Sequence, residues 1–179
     1  QARRLRQDGR LTDAVGRYQQ VIDDHGRELM KVVDDRYADA SRQVYDLLRS
    51  DAELLSIYRS RFEAEAGRLL TEALTPTPNK RGLAEVMSRF GLCRSGLEAG
   101  LHLAASLLES GEAVDAASVL EALGDHPDHE SEARRWHLLR GAAAVYSGEA
   151  DEAARHRECL AGLGDDAGVQ QLADWAAKA

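Results

Sequence analysis

Apolar residues recur three and four positions apart along most of the 179-residue chain, the spacing that places them on one face of an α-helix. Two such series in the middle are Met30, Val33, Tyr37, Ala40, Val44 and Leu48, and then Leu54, Tyr58, Phe62, Ala66 and Leu70. Asp51 precedes the second series and is expected to cap its helix. Two prolines within residues 75–79 cannot continue a helix, so we expect a break there. The pattern predicts about ten helices and no strand.

Composition supports an all-α class. The chain has 29 Ala, 24 Leu and 20 Arg, whereas Val, Ile and Thr together number 16. Helices favour the first group and strands favour β-branched residues, so sandwiches, barrels and parallel sheets are disfavoured. A hydrophobic fraction of 44% is enough to build a core, which argues against disorder.

A short pattern recurs three times, in which a helix ends at a glycine and a small residue follows five positions later. The glycine would adopt a left-handed conformation, and the small residue would let the next helix pack closely. Bulky residues further on would fill the space to the following pair. The predicted packing positions are Gly9, Ala14 and Tyr18, then Gly111, Ala116 and Leu120, then Gly148 and Ala153. The third copy departs from the pattern at Arg157, where an apolar residue is expected.

Residues 9–15 (GRLTDAV) and 111–117 (GEAVDAA) resemble the turn and second helix of the tetratricopeptide repeat. The resemblance implies a right-handed α-solenoid of helical hairpins. We interpret residues 1–179 as one helical-repeat domain. Its segments are a partial hairpin at 1–26, irregular helical hairpins at 27–95, two repeat-like hairpins at 96–164 and a terminal helix at 165–179.

In repeats of this kind the first helix of each pair lines a concave groove that binds a partner. By this resemblance, the groove residues are Arg3, Arg6, Glu98, Leu101, Ala105, Glu109, Arg135, Leu138, Ala142 and Tyr146. Chaperone-binding repeats carry Lys and Asn at inner positions that are apolar here, which disfavours a carboxylate clamp. A peptide with apolar anchors fits better. The alternative is that these residues pack against adjacent helices.

A wider resemblance covers about residues 2–160. Residues 58–70 (YRSRFEAEAGRLL) and 97–112 (LEAGLHLAASLLESGE) resemble part of a bacterial, planctomycete-type family of envelope proteins that carry a PQQ-like β-propeller. The resemblance implies a periplasmic or envelope location and a non-catalytic scaffold module that binds a protein or peptide. It also implies a β-propeller in the same native chain, and an alternative role is a spacer packed against that propeller.

Charge is distributed unevenly. Residues 1–94 carry 17 Lys and Arg against 15 Asp and Glu, whereas residues 95–179 carry 6 against 16. The acidic half disfavours nucleic-acid binding and would suit a basic partner, although a solvated acidic surface needs no partner. No uncharged stretch is long enough to span a membrane, so we expect no membrane insertion.

Few residues have the types or spacing of a chemical site. His126 and His129 could approach one cation, but they lack a third ligand at a familiar spacing, and a structural turn is the alternative. His156 and Cys159 are helical neighbours, which we interpret as a surface histidine beside a buried thiol. We therefore predict no enzyme, catalytic residue, metal or cofactor, with a metal-dependent hydrolase as the remote alternative.

Overall fold

The computed structural model describes residues 2–26, 28–31 and 37–178, and only the backbone at residues 3, 29–31, 37 and 38. The described residues form ten α-helices. They are α1 (Ala2–Gln7), α2 (Leu11–His25), α3 (Ala40–Arg49), α4 (Ala52–Leu74), α5 (Lys80–Arg89), α6 (Arg94–Glu109), α7 (Ala113–Leu123), α8 (Ala133–Tyr146), α9 (Ala150–Gly162) and α10 (Asp166–Ala176). A short 3₁₀ helix, His129–Glu132, precedes α8. The all-α prediction is confirmed.

One local prediction is wrong. The apolar spacing predicts a helix through Met30 and Tyr37, but β1 (Leu29–Lys31) and β2 (Tyr37–Asp39) form an antiparallel pair, with Met30 opposite Ala38. Val33 lies outside the described residues. A short apolar run fits both the helical and the strand period, so its spacing does not distinguish a helix from a strand.

Helix α4 begins and ends where the sequence places it. The side chain of Asp51 accepts hydrogen bonds from the backbone N–H groups of Glu53, at 3.1 Å, and Leu54, at 3.2 Å. This is the predicted N-cap, which satisfies donors that have no partner within the helix. The helix ends at Leu74, and residues 75–79 are not helical, as the two prolines predict.

Four helix-to-helix turns share one backbone geometry. Each contains a glycine with φ between 68° and 78°, namely Gly9, Gly111, Gly148 and Gly164. The glycine N–H donates to the carbonyl three residues earlier, and the next N–H donates to the carbonyl five residues earlier, at 2.8–3.1 Å. This pair of bonds is the Schellman motif, and the positive φ favours glycine. The residue after each glycine is the N-cap of the next helix, which begins two positions after the glycine.

Backbone contacts divide the chain into two compact units. Unit 1 comprises residues 1–72 and 85–96, and unit 2 comprises residues 73–84 and 97–179. The interpretation of the chain as one domain stays a prediction. None of the helices in the described ranges is both long and apolar enough to cross a membrane.

The core of unit 1 is built from α2, α3, α4 and the end of α5. Tyr58, Phe90 and Leu48 are fully buried there. The Tyr45 hydroxyl donates to the carbonyl of Ser88, at 2.7 Å, and accepts from the backbone N–H of Gly91, at 3.0 Å. These two bonds fix the turn that follows α5.

A carboxylate from α4 caps the start of α6 within unit 1. Glu63 accepts the backbone N–H groups of Arg94, at 2.8 Å, and Ser95, at 2.9 Å. A Cβ at Gly96 would lie 2.1 Å from the carbonyl oxygen of Phe90. Only glycine allows this close backbone approach, which holds the end of α5 against the first turn of α6.

The core of unit 2 includes Ala142, Leu160 and Leu172, with partly buried Leu108 and Leu138 packed against them. These residues come from α6, α8, α9 and α10. A Cβ at Gly141 would lie 2.5 Å from a methyl carbon of Leu172, so glycine lets α8 and α10 approach closely. Residues of four helices therefore meet in a single apolar cluster.

Candidate functional site

The predicted packing positions lie in or beside the repeated turns. Ala14, Ala116, Tyr18 and Leu120 are buried, each at 5% exposure or less, whereas Ala153 is only partly buried. Each of the two buried alanines is the fourth residue of the second helix of its hairpin, at the end of the first turn. Ala153 instead borders a surface pocket of about 300 Å³ together with Arg157, the residue that departs from the repeat pattern.

The predicted groove residues of unit 2 fall into two groups. Leu101 and Ala142 are buried, and Leu138 packs against the core of unit 2, so the first two cannot line an open groove. This is a correction, and its cause is that α6 and α8 bury their apolar stripes against neighbouring helices. Glu109 and Tyr146 are exposed, and Ala105 is partly buried.

Charged residues at the edge of this surface do come together. The charges of Glu98 and Arg135 both affect the pKa of His102. Burial and the positive charge of Arg135 lower this pKa below its ordinary value, whereas Glu98 raises it. The Tyr146 ring lies 6.4 Å from the Trp175 ring, centre to centre.

The groove residues predicted from the first copy belong to unit 1. Arg6 donates from Nη2 to Oδ2 of Asp51 at 2.7 Å, and so ties α1 to the capping residue of α4. The pKa of Asp51 is lowered by the hydrogen bond from Leu54 N–H and further by Arg6. Arg6 is therefore a structural residue, and the Arg3 side chain lies outside the described residues.

A cluster of imidazole rings surrounds Trp136 in unit 2. The indole N–H of Trp136 donates to the carbonyl of Leu120 at 2.8 Å. The rings of His129, His137 and His156 lie 4.8, 5.0 and 5.5 Å from the Trp136 ring, all three edge to face. His137 and His156, called the histidine pair below, approach each other at 2.9 Å between their Nδ1 atoms.

The histidine pair can hold only one proton between its facing nitrogens. Nε2 of His156 lies 3.2 Å from a carboxylate oxygen of Glu152, so Glu152 favours a proton on that nitrogen. Nδ1 of His156 then accepts, and His137 donates. Burial lowers the pKa of both histidines, outweighing Glu152, which raises that of His156. A second proton would place two donors face to face, so the pair is built for its neutral state.

Arg140 connects this cluster to its neighbours. It donates to the carbonyl of Ala117 at 3.1 Å and to Glu152 at 3.4 Å. Burial alone would raise the pKa of Glu152, but Arg155 and His156 hold it below its ordinary value. The cluster therefore joins α7, α8 and α9 through a network of polar contacts.

The two predicted chemical pairs have different outcomes. His126 is buried, and its Nδ1 accepts the backbone N–H of Asp128 at 3.0 Å, as expected of a structural turn. For His156 and Cys159 the prediction of a surface histidine beside a buried thiol is wrong, because His156 is buried and Cys159 is exposed. The buried stripe of α9 runs through His156 and Leu160, and only packing against α8 and α10 fixes it. Across the residues described, no three His, Cys, Asp or Glu side chains are arranged to hold a metal ion.

An open groove lies on unit 1 between the α1–α2 turn and the middle of α4. One pocket, of about 730 Å³, adjoins a second of about 530 Å³, and Arg61 lines both. We call the two together the arginine groove. Its charged lining residues are Arg4, Arg10, Arg17, Arg61, Asp8 and Asp13.

The sequence pattern alone predicted neither the arginine groove nor the histidine pair. An isolated glycine inside a helical pattern indicates that another part of the chain approaches the helix closely at that position. Gly16 is such a glycine, and it lies beside the arginine groove. A Cβ at Gly16 would lie 3.0 Å from Nη1 of Arg61, which comes from another helix. For the histidine pair, Glu152 and His156 are four residues apart on one helix, which places them side by side.

Comparison with known proteins adds no relative: no protein-family model, curated protein or solved structure matches the chain. The resemblances to the tetratricopeptide repeat and to the propeller-bearing envelope proteins therefore stay predictions.

Proposed function

We propose that the chain is a non-catalytic protein-interaction module, built as a right-handed α-solenoid of helical hairpins, that binds a peptide or protein partner. The observation that carries this proposal is the arginine groove, an open surface lined by residues of α1, α2 and α4. Closed active sites exclude water from reacting groups, whereas an open surface groove suits a bound peptide segment.

The repeated turn supports the same proposal. Four helix-to-helix turns with one backbone geometry are what an array of helical hairpins requires, and such arrays present extended binding surfaces. The resemblance to envelope proteins adds the proposal that the module positions a larger envelope protein.

An unbiased peptide selection tests the function. The full chain would be immobilised and challenged with a displayed library of random peptides, and a denatured sample of the same chain would remove non-specific binders. Enrichment of a sequence motif that binds the folded chain in solution is the expected result. If repeated rounds enriched no motif, the proposal of an interaction module would be wrong.

A further inference from the structure

We propose that the arginine groove binds an acidic peptide segment, with guanidinium groups receiving its carboxylates. This inference rests on the proposed function and names the partner class of the same site. It requires that the cations be held in place, that positive charge prevail in the groove, and that the surface suit a peptide better than a nucleic acid.

Arg61 is the fixed element of the groove. Its Nη1 donates to the backbone carbonyl of Thr12 at 3.0 Å, and its guanidinium packs over Gly16, where any side chain would crowd it. A guanidinium has five N–H donors, and the bond to Thr12 uses one of them. Because Arg61 lines both pockets, a ligand that occupies either one meets this group.

Positive charge prevails in the larger pocket, which has four guanidinium groups and two carboxylates. One of the four, Arg10, is paired with Asp13 at 2.6 Å. Guanidinium binds carboxylate through two parallel N–H bonds, a geometry that Lys cannot offer. Each exposed ion pair contributes little, so binding needs several carboxylates and weakens as salt is added.

The lining of the groove favours a peptide over a nucleic acid. Asp8 and Asp13 would repel a regular row of phosphates, whereas a peptide can place uncharged residues opposite them. The described lining residues include no aromatic ring on which a base could stack. The smaller pocket instead offers the partly buried Ile57 beside Ser56 and Ser60, which suits a small apolar side chain of a peptide.

Fluorescence anisotropy with the full chain tests the proposal. The probe is a fluorescein-labelled peptide of alternating glutamate and alanine with one central leucine. We expect Arg61→Glu to weaken binding by about tenfold or more, as expected when a charge-assisted contact becomes a repulsion. Arg17→Glu should act in the same direction, and it serves if Arg61→Glu fails to fold. Arg68→Glu, on the same helix but outside the groove, should bind as wild type does.

The outcomes separate this inference from the proposed function. If selected peptides bind the chain but the acidic probe does not, or if Arg61→Glu and Arg17→Glu leave its binding unchanged, the acidic-peptide assignment is overturned and the interaction module stands. An equal loss in Arg68→Glu would also overturn the assignment. A single-stranded oligonucleotide of the same charge that binds more tightly, with the same dependence on Arg61, would reassign the groove to nucleic acid.

Discussion

Replacing Gly111 with alanine tests the repeated turn directly. Gly111 has a φ of 78°, and a Cβ built on it would have no neighbouring heavy atom within 4 Å. The cost therefore comes from the left-handed backbone alone, which disfavours a residue with a Cβ by about 1–2 kcal/mol. Alanine also restricts the unfolded chain, which offsets about 0.4–1 kcal/mol of that cost. We expect a net loss of about 1 kcal/mol in the free energy of unfolding.

Gly162 provides a matched control. It is the last residue of α9, its φ is not positive, and its Cβ would also have no neighbour within 4 Å. Alanine stabilises the middle of a helix by about 0.5–1 kcal/mol relative to glycine, and at the last residue we expect a smaller gain of the same sign. Gly111→Ala and Gly162→Ala should therefore shift the urea midpoint in opposite directions when unfolding is followed by far-ultraviolet circular dichroism.

The sign of the shift decides the test. Gly148→Ala has the same positive φ and open surroundings, and should repeat the loss seen at Gly111. If both turn variants were neutral or stabilising, as expected for Gly162→Ala, then these glycines would not be left-handed. The description of the turns as repeated Schellman motifs would be wrong.

Three further predictions follow from burial and charge. The pKa values of the histidine pair lie below the ordinary value of 6.5, so on acidification the unfolded chain takes up protons before the folded chain does. The folded state therefore loses stability as the pH falls below 6.5. In thermal melts, His156→Gln should lose less stability on acidification than the wild type does. Ala116→Leu should cost about 1–3 kcal/mol by overpacking, whereas the exposed Ala122→Leu on the same helix should be nearly neutral by the same denaturation assay. Burial raises the pKa of Cys93 to about 12, so a thiol reagent should modify only Cys159 until denaturant is added, and rapid modification of both would contradict the structure.

Features governed by adjacent residues could be predicted from sequence. Asp51 caps its helix through atoms two and three residues away, and Gly111 ends its helix because a positive φ favours glycine wherever it occurs. Gly164 forms the same turn, but the residue five positions later is Val169, so this turn lacks the small residue that defines the repeated pattern.

Features that depend on distant parts of the chain could not be predicted. His156 is buried and Cys159 exposed because α8 and α10 select the face of α9, and the sequence of α9 alone fits either arrangement. Arg61 reaches the carbonyl of Thr12 across 49 positions of sequence, so the arginine groove exists only after folding. For the same reason, Leu101 has groove spacing in the sequence but lies in the core.

Hydrogen exchange with mass spectrometry, on the full chain with and without the acidic probe peptide, tests the central claim most directly. We predict slower exchange on peptide addition in residues 4–20 and 56–61, which line the arginine groove, and no change in the helices of unit 2. The protection should be lost in Arg61→Glu and retained in Arg68→Glu. Protection confined to α6 and α8, or no protection at peptide concentrations that saturate the anisotropy signal, would contradict the account.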